Sequence, residues 1–260
     1  MIETHAHLNF KQFNHDLDQV INAAFSSGVE KIIIIGIDKA SSIKAIKIAE
    51  KYENVYATVG LHPGDVEKSD TSFIEPLLNH HKVVAIGECG TDLYWTKDTL
   101  EIQQKYLHKQ AKIALKYNLP LIIHTRNSFN EAYEIIKDYT GVKGVFHCFS
   151  SNLEDAKKVI DLGFYIGIDG PVTFNKATEL HEIVKEIDLK HLLIETDSPY
   201  LAPAPYRGKR NEPKHLLYIA QKIADIKNIS VNEVIKQTTI NAKNLFNFGG
   251  KSWKNILKYY

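Results

Sequence analysis

The sequence predicts an α/β protein, a single (β/α)8 TIM-type barrel forming one domain over residues 1–260. Short, β-branched apolar runs recur at intervals of roughly 20 to 40 residues, as strands buried in a parallel sheet do. The stretches between them carry helical periodicity. No linker, low-complexity tract or repeat divides the chain, and 260 residues suit one undivided barrel.

The strand candidates are residues 1–4, 31–36, 55–61, 83–88, 120–124, 144–147, 164–168 and 192–196. Helical periodicity marks residues 16–27, 41–52, 100–117, 129–139, 153–162 and 177–186, with a final pair near 213–227 and 230–246. Ser41 and Ser42 are expected to open one helix and Asn152 another, just before an acidic pair. Gly28 and Gly163 are placed to close helices before the next strand. Residues 117–120, Tyr-Asn-Leu-Pro, end a helix and begin a strand. An open doubly wound sheet more often has a Gly-rich first turn, and here His5-Ala6-His7 stands in that place.

Composition narrows the function classes. The net charge is +1 with His neutral, which argues against a partner held by overall field, so any polyanion contact must come from a local basic patch. With only Cys89 and Cys148, a disulfide scaffold is not expected. No basic stretch followed by an apolar one marks a secretory leader, and the apolar runs are too short to span a bilayer. A cytoplasmic protein with no membrane partner is the expectation. The sequence sets no oligomeric state, and a monomer is compatible with it.

The chemistry gathers at the ends of the predicted strands. His5 and His7 end the first run, Glu88 the fourth, His124 the fifth, His147 the sixth and Asp197 the eighth. In a closed parallel barrel those ends converge on one face. Imidazole and carboxylate are the usual ligands of zinc and of other borderline or hard divalent ions. Residues i and i+2 on an extended segment point the same way, so His5 and His7 can share an ion. Six ligands exceed the need of one tetrahedral ion and suffice for two if Glu88 bridges. A lone strand-end histidine is more often a hydrogen-bonded structural residue. Four histidines and two acids at one end of successive strands are not explained that way.

His62 ends the third run on the same face and is a candidate substrate contact. Asp92 follows Glu88 by four residues, either behind a ligand or as a turn former. Glu3 and Glu195 are further carboxylates expected behind the ligands. His15, His80, His81, His108, His181, His191 and His215 fall in helices or loops and carry no functional expectation.

The chain closely resembles the TatD family of metal-dependent deoxyribonucleases, within the amidohydrolase-like barrels. The resemblance runs in order through residues 3–8 (Glu-Thr-His-Ala-His-Leu), 60–63 (Gly-Leu-His-Pro), 87–92 (Gly-Glu-Cys-Gly-Thr-Asp), 124–126 (His-Thr-Arg) and 147–150 (His-Cys-Phe-Ser). It continues through 170–174 (Gly-Pro-Val-Thr-Phe), 195–201 (Glu-Thr-Asp-Ser-Pro-Tyr-Leu) and 207–213 (Arg-Gly-Lys-Arg-Asn-Glu-Pro). It implies two divalent ions, with His5 and His7 on one, His124 and His147 on the other, Glu88 shared and Asp197 at the catalytic position. The sequence departs from the family where Glu3 replaces the usual Asp, and where residues 90–93 read Gly-Thr-Asp-Leu rather than Gly-Leu-Asp-Tyr. Neither departure touches an expected ligand. Related barrels that cleave amides often bridge their metals with a carboxylated lysine, and here no Lys occupies a strand end facing the site.

The expected activity is hydrolysis of DNA phosphodiesters by a metal-activated water, with exonuclease action on strand ends or single strands preferred. Catalysis is expected from Asp197 and Glu88. Arg126, Arg207, Lys209 and Arg210 are expected at the mouth as phosphate contacts. Tyr94, Trp95, Phe149 and Tyr206 are candidates to stack on bases, or equally to pack. The mixed N/O ligand set accepts Zn, Mn, Mg, Ni or Co. Two rivals stand beside this expectation. One is hydrolysis of another ester or amide, such as an aminoacyl ester on tRNA or a small cyclic amide. The other is a non-catalytic metal- or nucleic-acid-binding protein. The Lys/Tyr-rich end, residues 252–260, is expected to form a helical tail.

Overall fold

The computed structural model describes residues 1–94 and 97–249; Trp95 and the C-terminal tail lie outside the described residues. Eight parallel strands pair in chain order, β1 (Ile2–Ala6), β2 (Lys31–Ile34), β3 (Val55–Val59), β4 (Val83–Asp92), β5 (Leu121–Arg126), β6 (Gly144–Phe146), β7 (Tyr165–Ile168) and β8 (Leu192–Ile194). The ring closes just past β8, where Asp197 N–H donates to His5 O at 2.9 Å and His7 N–H to Ser198 O at 2.7 Å. The predicted barrel is the observed one.

The helices are α1 (Leu17–Ser26), α2 (Lys39–Ala49), α3 (Ile74–Leu77), α4 (Leu100–Tyr117), α5 (Phe129–Ile136), α6 (Leu153–Asp161), α7 (Thr178–Glu186), α8 (Leu216–Lys227) and α9 (Val231–Leu245). Helix α2 starts earlier than expected. Asp38 is its cap, accepting from Ser41 N–H at 2.7 Å, while Ser41 Oγ accepts from Asp38 N–H at 2.9 Å. Asn152 caps α6 as expected, through Asp155 N–H. Helix α3 was not foreseen, because four residues are too few to display a 3.6-residue period.

Alternation along the strands builds two buried clusters. Ile32 and Ile34 join the cluster that holds the helices. Ile33, Ile35, Val84, Ile122, Val145 and Leu193 form a second cluster inside the barrel, where Leu245 and Phe246 from the end of α9 join them. Tyr56 starts off the base of β3 and donates its hydroxyl to Phe248 O at 2.9 Å, so this plug sits at the N-terminal end of the strands. The opposite, C-terminal end is left for polar residues.

Candidate metal centre

All six expected ligands meet at that C-terminal end. His5 lies in β1, His7 just beyond it, Glu88 in β4, His124 in β5, His147 directly after β6 and Asp197 after β8. Strand β4 can run on past Glu88 because Gly90 carries no side chain. A Cβ there would stand 1.9 Å from His124 O, and its φ of +144° suits glycine alone. That close approach sets Glu88 against His124.

The donor atoms fall into two groups that share Glu88. In the first, His5 Nε2 and His7 Nε2 are 3.2 Å apart. Glu88 Oε2 lies 3.4 Å from His5 and 3.5 Å from His7, and Asp197 Oδ1 lies 3.6 Å and 3.3 Å from the same two atoms. A tetrahedron of ligands around an ion at about 2.1 Å has edges of about 3.4 Å. The five spacings match that figure. In the second group, Glu88 Oε1 is 2.9 Å from both His124 Nδ1 and His147 Nε2, and those nitrogens are 3.3 Å apart. Those spacings are near the edge of about 3.0 Å expected of cis ligands in an octahedron of similar radius.

The surrounding hydrogen bonds aim the lone pairs. Asp92 Oδ2 lies 3.1 Å from His124 Nε2, which leaves Nδ1 as the inward-facing nitrogen. Asp92 is not in a turn; it ends β4, and Gln103 of α4 holds its backbone at both N–H and C=O. Glu195 Oε1 accepts from Cys148 N–H at 2.6 Å and lies 3.5 Å from His147 Nδ1. Glu3 Oε1 accepts from the N–H groups of His5 and Thr196, both at 3.0 Å, tying β1 to β8 beneath the site.

The buried charges divide sharply. Burial opposes ionisation of Glu88, but His147, His62 and His5 outweigh it and hold the carboxyl well below its usual range. Asp197 is likewise lowered, burial notwithstanding, chiefly by His7. Against burial, Glu88 and Glu195 raise His147 well above the ordinary imidazole. Burial and the neighbouring His147 lower His5. Burial raises Glu3 to about 8. Four imidazoles and two carboxylates thus crowd around two points, and the Nδ1 atoms of His5 and His7 are buried with no hydrogen-bond partner. This donor set fits divalent cations.

His62 stands at the edge. Its Nδ1 accepts from Gly64 N–H at 3.0 Å, and burial lowers its pKa to about 3. A neutral ring with Nδ1 engaged as acceptor carries its proton on Nε2, the atom 3.6 Å from Glu88 Oε1. His62 is therefore a donor toward the site.

The mouth differs from expectation at Arg210, while Phe149 and Tyr206 take the packing alternative. Arg210 is not presented to substrate: it donates to both carboxylate oxygens of Asp16, at 2.9 and 2.6 Å, and to Glu212 at 3.0 Å. Phe149 is buried against Phe129 and is closed to any base. Tyr206 packs flat on His215, centroids 4.2 Å apart. Arg126 lies over the exposed Tyr94 ring at 3.6 Å, and Arg207 over Phe174 at 4.5 Å, both exposed with Lys209. Asp169, which directly follows β7, is a further acid at this end that was not among the expected residues. It is buried, its Oδ2 has no partner, and burial followed by Glu195 raises it to about 8. Its place at a strand end was the available signal.

A parallel barrel with clustered histidines and acids at its C-terminal face defines a metal-dependent hydrolase. The profile described as TatD related DNase matches residues 2–247, and the chain belongs to the TatD family. It is 41% identical over 251 residues to the Bacillus subtilis metal-dependent hydrolase YabD, covering 95% of this chain and 98% of that one. Its fold is similar to the crystal structure of YjjV, a TatD homologue of Escherichia coli, with a TM-score of 0.88, 31% identity, and 95% and 98% coverage. A TatD family hydrolase from Entamoeba histolytica superposes with a TM-score of 0.81 at 29% identity, covering 96% and 98%. No helix among the described residues is long and apolar enough to cross a membrane.

Proposed function

We propose that this protein is a two-metal deoxyribonuclease that hydrolyses phosphodiester bonds, preferentially from strand ends. The observation that carries the proposal is the Glu88 carboxylate, whose Oε1 faces His124 and His147 while Oε2 faces His5 and His7. His5, His7, Asp197 and Glu88 would hold one divalent ion, and His124, His147 and Glu88 the other. The chemistry supplied by two bound ions is acidification of a water and neutralisation of phosphoryl oxygens.

The chain's own residues do the rest. Asp197 is ionised at neutral pH, so it accepts the proton of the attacking water at its carboxylate. His62 donates its Nε2 proton in a hydrogen bond to a phosphoryl oxygen. Arg126, Arg207 and Lys209 bind the flanking phosphates. Asp92 fixes the ring of His124, Glu195 places its carboxylate beside the ring of His147, and Glu3 fixes the strand that carries His5. The free thiols of Cys89 and Cys148 fit a cytoplasmic setting.

The test is an assay on single- and double-stranded DNA labelled at the 5′ or 3′ end, with Mg, Mn or Zn, and with EDTA as control. Stepwise shortening that EDTA abolishes is the expected result. Intact oligonucleotides beside turnover of aminoacyl esters or cyclic amides would favour the rival hydrolase. Full cleavage in EDTA would remove the metal mechanism altogether.

A further inference from the structure

Phe10 lies just beyond β1, and its ring rests on the imidazole of His7, centroids 4.6 Å apart and planes within 22°. Tyr200, just beyond β8, stands edge-on to Phe10 at 6.3 Å and 72°, and edge-on to His7 at 6.4 Å. Phe10 is only partly buried, and it packs with neither hydrophobic cluster of the described residues. Tyr200 is 48% exposed and its neighbour Leu201 is 37% exposed. Three apolar side chains thus stand at the rim of a metal centre without a core role. Adjacent exposed apolar groups of this kind mark binding surfaces.

The loop that presents them is held rigidly. Tyr200 N–H donates to Asp197 O at 2.8 Å. Leu201 has φ +52°, a left-handed backbone that is costly for a bulky residue and persists only where its surroundings enforce it. One enforcing contact is Gly170, whose missing Cβ would lie 1.8 Å from Leu201 O. This loop leaves Tyr200 and Leu201 facing solvent.

Barrel order places this wall across from the cations. Phe10 and Tyr200 flank the β8–β1 seam, whereas Tyr94 lies just beyond β4 and Arg126 ends β5, half a turn around the ring. The ligand set lies between the two. A phosphodiester seated among the ligands would therefore send its flanking groups to unlike sides, one to a guanidinium and the other to an uncharged corner of two rings. The group that suits such a corner in a nucleic acid is a base, flat and apolar on its faces.

We propose that Phe10, Tyr200 and Leu201 form a shelf for one unpaired nucleobase next to the scissile phosphate, on the His5/His7 side. The shelf rests on the nuclease proposal and adds to it a selection for unstacked bases. A base inside a duplex is covered on both faces and reaches the shelf only after unstacking.

The test compares a single-stranded deoxyoligonucleotide with the same strand carrying tetrahydrofuran abasic residues around the scissile bond. Cleavage is measured with Mn, and binding by fluorescence anisotropy on the Mn-loaded Asp197→Asn protein. The wild-type site is expected to prefer the base-bearing strand by roughly ten- to a hundredfold in KM and in Kd. The Phe10→Ala/Tyr200→Ala pair should bring that preference close to one, Tyr200→Ala alone should lower it part-way, and Tyr200→Phe should keep it. A preference unchanged in the double variant, or a wild type that treats both strands alike, overturns the shelf and leaves the nuclease proposal standing. A wild type that neither binds nor cleaves any oligonucleotide overturns both.

Discussion

His5 and His147 lie face to face, ring centroids 3.8 Å apart and planes within 7°, although each belongs to a different donor group. The two groups therefore touch through these rings as well as through Glu88. Removing either ring opens a void beside the other, so substitution at His5 or His147 disturbs both groups at once. His7 and His124 are the cleaner probes.

Dialysis against Mn or Zn followed by elemental analysis should give two ions per wild-type chain. His7→Ala and His124→Ala should each retain one, and Glu88→Gln should weaken both. Loading at about a hundredfold over Kd adds about 2.7 kcal/mol of stability, a rise of several degrees in Tm. A single ion in the wild-type chain would show that Glu88 does not bridge.

Asp92 selects the nitrogen that His124 turns inward. With a carboxylate at 3.1 Å from Nε2, the proton resides there and Nδ1 keeps its lone pair. In Asp92→Asn the amide can donate to Nε2 instead, which moves the proton onto Nδ1 and blocks it. Metal affinity at the His124/His147 group should fall roughly ten- to a hundredfold, measured by chelator competition. Unchanged affinity would reduce Asp92 to a backbone anchor for α4.

The residue types and their positions at strand ends make the convergence of six polar groups legible in the sequence. Orientation was not legible. Whether Asp92 reaches His124 depends on the β4–β5 register, which Gly90 sets through a contact invisible in one strand alone. Arg210 sits in a basic run beside Arg207 and Lys209, but its partner Asp16 lies at the other end of the chain, so sequence proximity grouped it wrongly. Nothing in the sequence pairs Phe10 with Tyr200, because only the closure of β8 on β1 brings them together.

Asp197 offers a test of catalysis that separates chemistry from folding. Its backbone is left-handed, φ +54°, a conformation Asn tolerates and Ala tolerates poorly. Compared without metal, Asp197→Asn should keep the wild-type melting curve, while kcat at saturating metal falls about 10²- to 10⁴-fold. Asp197→Ala adds backbone strain to the same loss, so its lower Tm should not be read as a catalytic effect. An Asn variant with wild-type kcat would assign the proton transfer elsewhere.

The basic run should divide by function. Arg207 and Lys209 are exposed at the mouth, so Arg207→Ala should raise KM for DNA and make its dependence on salt shallower, leaving Tm alone. Arg210→Ala should do the reverse. Its paired bonds to Asp16 are about one-third exposed, so the loss is about 1 kcal/mol at pH 7, with KM little changed. The Arg210 side chain lowers the Asp16 carboxyl, and Lys214 and Arg210 lower Glu212 in spite of its burial. Carboxyls depressed in the folded state stabilise it above their unfolded pKa, near 4, and that contribution disappears as pH falls through the folded values. The difference in urea midpoint between wild type and Arg210→Ala should therefore hold from pH 7 to about 5 and shrink below about 4. A difference that persists undiminished at pH 3 would place the role of Arg210 in its packing over Phe13, 4.8 Å from the ring centre, rather than in its charge.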